Sequence, residues 1–313
     1  TSSEWAPHFP LFKSKDLKKW KPAGYIFNQK PDWASSSFWA PELFYYKGKC
    51  LAYYVARRKS DGISCIGVAV ASHPEKGFVD KGVLLSHGKE AIDPFVFEDK
   101  GKLYLSWKAY GLENRPIELL CAELSEDGTK VIGEPFSLLK DDERKGLEGQ
   151  CIIKNGKYYY LIYAAGDCCG RGCSYEVKVA RSTSLQSSFE KLPKTILSAG
   201  EIWKCTGHGT VVNTPNGRQF YLYHAYNQKE NVYTGRQGML AELFFDQQTQ
   251  WPYFKTNTLK IAPNGKKFED NFSKSTIADQ WQWDVSAPKP NMSLNQGNLI
   301  LSGTTSKEAG TVL

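Results

Sequence analysis

Four stretches of this chain repeat one design, and a chain built that way has few folds open to it. Glu42-Leu43-Phe44-Tyr45-Tyr46-Lys47-Gly48-Lys49 leads into Cys50-Leu51-Ala52-Tyr53-Tyr54, and the run from Asp93 to Lys102 leads into Leu103-Tyr104-Leu105-Ser106-Trp107. Glu148 to Lys157 leads into Tyr158-Tyr159-Tyr160-Leu161-Ile162-Tyr163, and His208 to Arg218 leads into Phe220-Tyr221-Leu222-Tyr223. Each is a short apolar run, a glycine turn and a second run rich in aromatics, the sequence form of a hairpin. The turn glycines Gly48, Gly101, Gly156 and Gly217 stand 53, 55 and 61 residues apart. A period of roughly 50 residues with several short strands per unit predicts the blades of an all-β propeller. Each repeat also carries a polar residue ahead of its turn: Glu42, Asp93, Glu148 and His208. In a propeller, equivalent positions converge on the axis, so these four residues are expected to share one funnel.

Glu148 stands out within this set. Flanked by glycines and apolar residues in Gly146-Leu147-Glu148-Gly149-Gln150-Cys151, it sits at the mouth of a strand. Burial there would raise its pKa toward the range of a general acid. Taken alone, the stretch reads better as a surface loop; the repetition is what favours the functional alternative. Phe38-Trp39, just ahead of Ala40-Pro41-Glu42, puts two rings beside one member of the set. They read either as a stacking wall for a sugar ring or as core.

Composition narrows the function classes. Aromatics make up 13% of the 313 residues, with 17 tyrosines and 9 tryptophans, which suits strands and sugar-stacking surfaces alike. The formal charge of +7 is dispersed, with no basic block of the kind that tracks nucleic-acid phosphates, so no nucleic-acid partner is expected. No apolar run approaches the roughly 18 residues of a membrane span, so no membrane partner is expected either. Of the eight cysteines, Cys50, Cys65, Cys121 and Cys151 lie in strand-like runs and read as buried thiols. Cys168-Cys169-Gly170-Arg171-Gly172-Cys173 is a dense cluster in a glycine-rich loop. Zinc, with Cys205 and His208, is one reading; a disulfide within the cluster, including the vicinal Cys168–Cys169 bond, is favoured because the spacing does not form two-residue knuckles. A disulfide fits an oxidising compartment, so a secreted or periplasmic location is expected.

Trp39-Ala40-Pro41-Glu42, Ala91-Ile92-Asp93-Pro94, Leu147-Glu148-Gly149 with its tyrosine-rich following strand, and Gly207-His208-Gly209 together resemble glycoside hydrolase family 43, over about residues 1 to 262. The resemblance implies a five-bladed β-propeller. It also implies inverting, exo-acting hydrolysis of arabinose- or xylose-containing polysaccharide or oligosaccharide, with α-L-arabinofuranosides preferred over β-xylosides. Glu148 then matches the general acid, and Asp93 the aspartate that orients it and holds its proton on by like-charge repulsion. Trp39, Phe38, Glu42, Ile92, Arg236 and His208 fall to substrate binding. No cofactor is required; a structural calcium ion on the propeller axis, near His208, is the one metal the resemblance suggests.

The chain departs from the family pattern in one respect. The family's general base is an Asp-Pro aspartate in the first strand of the first blade, and no residue here matches it; Asp16 and Asp32, the early aspartates, do not precede a hairpin of the right form. Stepping one period back from Gly48 puts that strand ahead of Thr1. The native protein is therefore expected to begin several tens of residues earlier, and a non-catalytic carbohydrate-binding propeller is the competing expectation. After a linker near Ala262-Pro263-Asn264-Gly265-Lys266-Lys267, residues 263–313 read as the opening of a C-terminal β-sandwich, following a propeller domain over 1–262.

Overall fold

The computed structural model describes residues 4–110, 117–259, 268–278, 280–285 and 289–302. Two compact units divide the chain: Thr1–Ile63 with Gly67–Val83 and Ile261–Leu313, and Ser64–Ile66 with Leu84–Lys260. The protein is all-β; among the described residues, helical turns are confined to the 3-10 turns Pro74–Lys76 and Val232–Thr234.

The strands that lie wholly or mostly in the first unit are β1 (Trp5–Ala6), β2 (His8–Lys13), β3 (Lys21–Phe27), β4 (Trp39–Tyr46), β5 (Lys49–Arg57), β6 (Ser64–Ala71) and β7 (Val79–Leu85). β2 and β3 form a hairpin, and β4, β5, β6 and β7 follow one another across a sheet. The run Cys50 to Ala56 in β5 is buried throughout, as a strand covered on both faces must be. Phe9, Phe27, Phe38 and Tyr54 form the core of this unit, and the Tyr54 hydroxyl donates to Asp80 Oδ1 at 2.6 Å. Phe38 is a correction to the expected stacking wall. Its side chain is wholly buried, with the ring stacked on His8 at 3.9 Å and edge-on to Phe9 at 5.8 Å. It packs the core and has no face to offer a sugar.

The second unit holds β8 (Glu90–Asp99), β9 (Lys102–Tyr110), β10 (Glu118–Glu123), β11 (Phe136–Lys140), β12 (Glu148–Asn155), β13 (Tyr158–Ala165), β14 (Glu176–Ser182), β15 (Glu190–Lys191), β16 (Trp203–Asn213), β17 (Gln219–Asn227), β18 (Gln237–Phe245) and β19 (Pro252–Thr256). They run as three antiparallel meanders, β8 to β11, β12 to β15 and β16 to β19. β13 is buried along almost its whole length: Tyr159 to Ala165 are all inside, each large side chain contributing about 1.5–3 kcal/mol of burial. Tyr160, Ile162, Val177, Val179, Tyr221 and Tyr223 share one core between the last two meanders.

The chain ends with β20 (Trp283–Asp284) and the hairpin of β21 (Asn291–Asn295) and β22 (Asn298–Ser302). β20 pairs with β1, Trp5 opposite Asp284 and Ala6 opposite Trp283, and Val285 N–H donates to the Glu4 carbonyl at 2.8 Å. A two-sheet sandwich is not found among the described residues of this segment, and the expected linker at 262–267 lies outside them.

One backbone device recurs in all four hairpin repeats. The first strand breaks register near its start, between Trp39 and Glu42, Ile92 and Phe95, Glu148 and Cys151, and Gly207 and Thr210. Each break holds a residue in left-handed conformation: Ala40 (φ 46°), Asp93 (φ 55°), Gly149 (φ 57°) and His208 (φ 47°). A bulge re-aims the side chains beside it. For a non-glycine residue it costs on the order of 1–3 kcal/mol, which surrounding contacts must offset.

Candidate active site

In the second unit these bulges bring Asp93, Glu148 and His208 together. Asp93 Oδ2 accepts from Gly149 N–H at 2.9 Å and lies 3.9 Å from His208 Nδ1. Its backbone carbonyl accepts from Gln150 Nε2 at 2.6 Å. The residue after Glu148 is thereby tied to Asp93, so the two carboxyl groups are locked as neighbours. Both bulge glycines are there for close approach. A Cβ on Gly149 would come 2.6 Å from His208 Cγ, and one on Gly207 would come 2.4 Å from Tyr175 Cδ1.

Glu148 has two donors that sequence reasoning missed. Lys108 Nζ on β9 donates to Oε2 at 2.6 Å, with side-chain exposures of 12% for Lys108 and 20% for Glu148. The Tyr175 hydroxyl donates to Oε1 at 2.8 Å. Lys108 had a faint signal, a lysine among the buried Leu105, Trp107 and Ala109. Tyr175, directly after the cysteine loop, had none.

The electrostatics reverse the expected division of labour between the two carboxyls. Burial alone would raise Glu148, but the Lys108 ammonium, His208 and the Tyr175 hydroxyl outweigh it and hold the carboxyl below its ordinary value. At Asp93, burial wins: it raises the pKa against the pull of His208, with the Glu148 charge adding to the rise. Lys108 is likewise pushed above the usual lysine range, its burial overcome by Glu148 and Asp93. Glu148 is thus the more readily ionised carboxyl in the free protein, and Asp93 holds a proton longer. Because Asp93 still holds its proton while Glu148 titrates, Asp93→Asn takes no charge from beside Glu148. The basic limb of the pH–rate profile is expected to stay in place; a limb that moves to lower pH would show that Asp93 is charged while Glu148 titrates and holds its proton on by repulsion.

A third missed residue, His224 on β17, completes the cluster. Its ring stacks on Tyr175 at 5.9 Å and lies 6.0 Å from that of His208, and its Nε2 is 3.1 Å from Arg236 Nη1. Burial, then the charges of Arg236 and His208, keep it well below the ordinary histidine pKa. It is neutral, and Nε2 accepts from the guanidinium, which leaves the proton on Nδ1. Arg236, expected to bind substrate, is therefore oriented by the same cluster. Ile92 is buried beside Asp93. Trp39 and Glu42 belong to the first unit, both half-buried, Trp39 with the Arg57 guanidinium 6.0 Å from its ring centroid.

Gly207→Ala should expel Tyr175 from its place against Glu148. Overpacking of this kind costs about 1–3 kcal/mol, read as a lower denaturant midpoint together with reduced turnover. Full stability and activity would show that Tyr175 has room to yield.

The cysteine cluster forms disulfides. Cys168 bonds Cys169, the vicinal pair expected, while Cys173 leaves the cluster to bond Cys205 on β16. Bonded sulfurs supply no thiolate, which removes the zinc reading. Among the described residues no group of three His, Cys, Asp or Glu side chains is placed to hold a metal ion. A calcium ion near His208 would need oxygen ligands beyond the single carboxylate of Asp93. Asp16 caps an exposed turn, accepting from the N–H groups of Lys18 and Lys19 at 2.9 and 2.8 Å, and Asp32 is exposed.

Protonating the oxygen of a departing sugar calls for a positioned carboxyl group, with a second carboxylate acting as base or nucleophile. The enclosed Glu148 suits the first of these roles. The chain belongs to the glycosyl hydrolases family 43, whose sequence model matches residues 1–252. An extracellular exo-α-(1→5)-L-arabinofuranosidase of Cellvibrio japonicus is 27% identical, the match covering 72% of this chain and 75% of that protein. An extracellular endo-α-(1→5)-L-arabinanase of Bacillus subtilis is 28% identical over 71% and 73%. A β-xylosidase of the same organism is 26% identical, over 89% of this chain and 58% of its own length. In fold, the chain matches a thermostable family-43 glycoside hydrolase (TM-score 0.72, 24% identity, 84% of this chain and 91% of that one). It also matches a xylan β-1,4-xylosidase from Bacillus halodurans (TM-score 0.79, 24% identity, 97% and 63%).

Proposed function

We propose that this glycosidase removes α-L-arabinofuranosyl residues from the ends of plant polysaccharide or oligosaccharide chains, with inversion, on a five-bladed propeller. The observation that carries the reading is Glu148, enclosed between Tyr175 and Lys108 and tied through Gly149 to Asp93. In the reaction, protonated Glu148 passes its proton to the leaving oxygen as the glycosidic bond lengthens. A base on the opposite face activates water, and inverting pairs leave roughly 6.5–9.5 Å for it. Lys108 makes the protonated acid scarce above the depressed Glu148 pKa, so activity should be greatest on the acid side of neutrality. The extracellular relatives and two disulfides support a secreted location.

One further reading rests on a specific observation: the β-xylosidase relative supports xyloside cleavage by the same site. The two separate in one experiment, with 4-nitrophenyl α-L-arabinofuranoside and β-D-xyloside as substrates and the first-formed anomer followed by proton NMR. Faster release from the arabinofuranoside, with β-arabinofuranose formed first, is expected. Faster xyloside cleavage would overturn the arabinose preference, and release from neither would overturn both readings.

A further inference from the structure

The vicinal disulfide is not used by the chemistry above, yet the structure places it at the edge of the catalytic cluster. Cys168 packs against the small core of Ala164, Tyr175, Cys205 and Tyr226, while Cys169 is exposed. The loop that carries them is held at both ends. Asp167 N–H donates to Ser174 Oγ at 3.1 Å, Ser174 N–H donates to the Asp167 carbonyl at 3.0 Å, and Cys173 is bonded to Cys205. Tyr175, the Glu148 donor, is the next residue. On its exposed side the pair meets Arg236, whose Nη1 lies 3.8 Å from Cys169 Sγ and 3.1 Å from His224 Nε2. Both contacts fall on one nitrogen of a guanidinium that carries five N–H donors.

A disulfide between adjacent residues closes a small ring and presents two polarizable sulfurs without a polar donor. Here that soft apolar surface lies next to a fixed cation, in a site otherwise lined by carboxyl, hydroxyl and imidazole groups. A sugar ring has the complementary character, with a C–H face and an edge of hydroxyls. We propose that the Cys168–Cys169 disulfide and Arg236 form a sugar-binding surface, the sulfurs taking the C–H face of a pentosyl ring and the guanidinium its hydroxyls. The ligand class rests on the glycosidase reading. The bond acts by contact and undergoes no redox step in the reaction.

The test follows opening of the two disulfides in the native, full chain by a water-soluble phosphine, with alkylation and mass spectrometry, in the presence and absence of saturating α-1,5-arabinotriose. Occupancy should slow opening of Cys168–Cys169 about tenfold and leave Cys173–Cys205 unchanged, the latter serving as the control for general stabilisation. Equal rates with calorimetrically demonstrated binding overturn the proposal and leave the glycosidase reading intact. No binding or release of any pentose overturns that reading, and this one with it. As a second arm, the double variant Cys168→Ala, Cys169→Ala should raise KM for an aryl pentoside about tenfold, the scale of a lost apolar contact in a sugar pocket, with kcat within about threefold. An unchanged KM in a variant with a wild-type melting curve also overturns it. If the variant misfolds, the protection experiment decides.

Discussion

Glu148→Gln should lower turnover on glycosides with poor leaving groups by a factor on the order of 10² to 10⁴, the usual contribution of a positioned acid. The amide fills the same space: its one carbonyl oxygen accepts from Lys108 and its NH2 donates to the Tyr175 hydroxyl, the two groups that lie 2.6 and 2.8 Å from the carboxyl oxygens. Geometry is therefore retained while the proton is lost. An activated aryl glycoside, whose leaving oxygen departs without protonation, should lose much less. That split between substrates distinguishes acid catalysis from a structural role, because a disturbed site slows both alike. Small and equal losses would remove Glu148 from the chemistry. The basic limb of the pH–rate profile should also disappear with the aryl substrate.

Lys108→Met should move the Glu148 pKa, which Asp93→Asn should not. In the wild type, Lys108 holds Glu148 below its ordinary pKa, so ionised Glu148 contributes stability above its unfolded value, and that contribution is lost as pH falls through the folded pKa. Without the ammonium, burial acts on Glu148 unopposed by its main partner, and its pKa rises. The basic limb of activity should move to higher pH. The stability profile should change sign too: a raised carboxyl binds its proton more tightly in the folded state, so the variant loses stability as pH increases. Where Glu148 is charged, leaving it without its buried partner costs about 3–5 kcal/mol; where it is protonated, the loss should be much smaller. Urea midpoints at acid and at neutral pH, compared with wild type, measure the difference. Equal destabilisation at both, together with an unmoved limb, would mean that Lys108 does not set the charge of Glu148.

The repeat of hairpins was legible in the sequence because a hairpin is a local object. Its turn glycine, its alternating runs and its aromatic second strand lie within about twenty residues of one another, and the spacing of Gly48, Gly101, Gly156 and Gly217 follows directly from them. Asp93, Glu148 and His208 could be named for the same reason, each sitting at the start of a recognisable first strand. The bulges that aim them could not be named: Asp and His visit the left-handed region more often than most residues, but that preference singles out no position in a sequence, and alanine lacks it. Phe38 and Trp39 show a similar limit. Neighbouring residues on an extended chain face opposite ways, and which of the two faces the core depends on His8 and Phe9, about thirty residues away.

The ionisation of the catalytic carboxyls belonged wholly to the tertiary structure. Flanking residues suggested an apolar setting that would raise Glu148, and burial does push it that way. The charge that reverses the outcome comes from Lys108, 40 residues earlier, and the hydroxyl from Tyr175, 27 residues later. Cys205 joins Cys173 across 32 residues, and His224 fixes Arg236 from another strand. A pKa depends on every charge within a few ångströms, and packing of the three meanders decides which those are. The order of residues could locate the acid; only the fold could say which proton it holds.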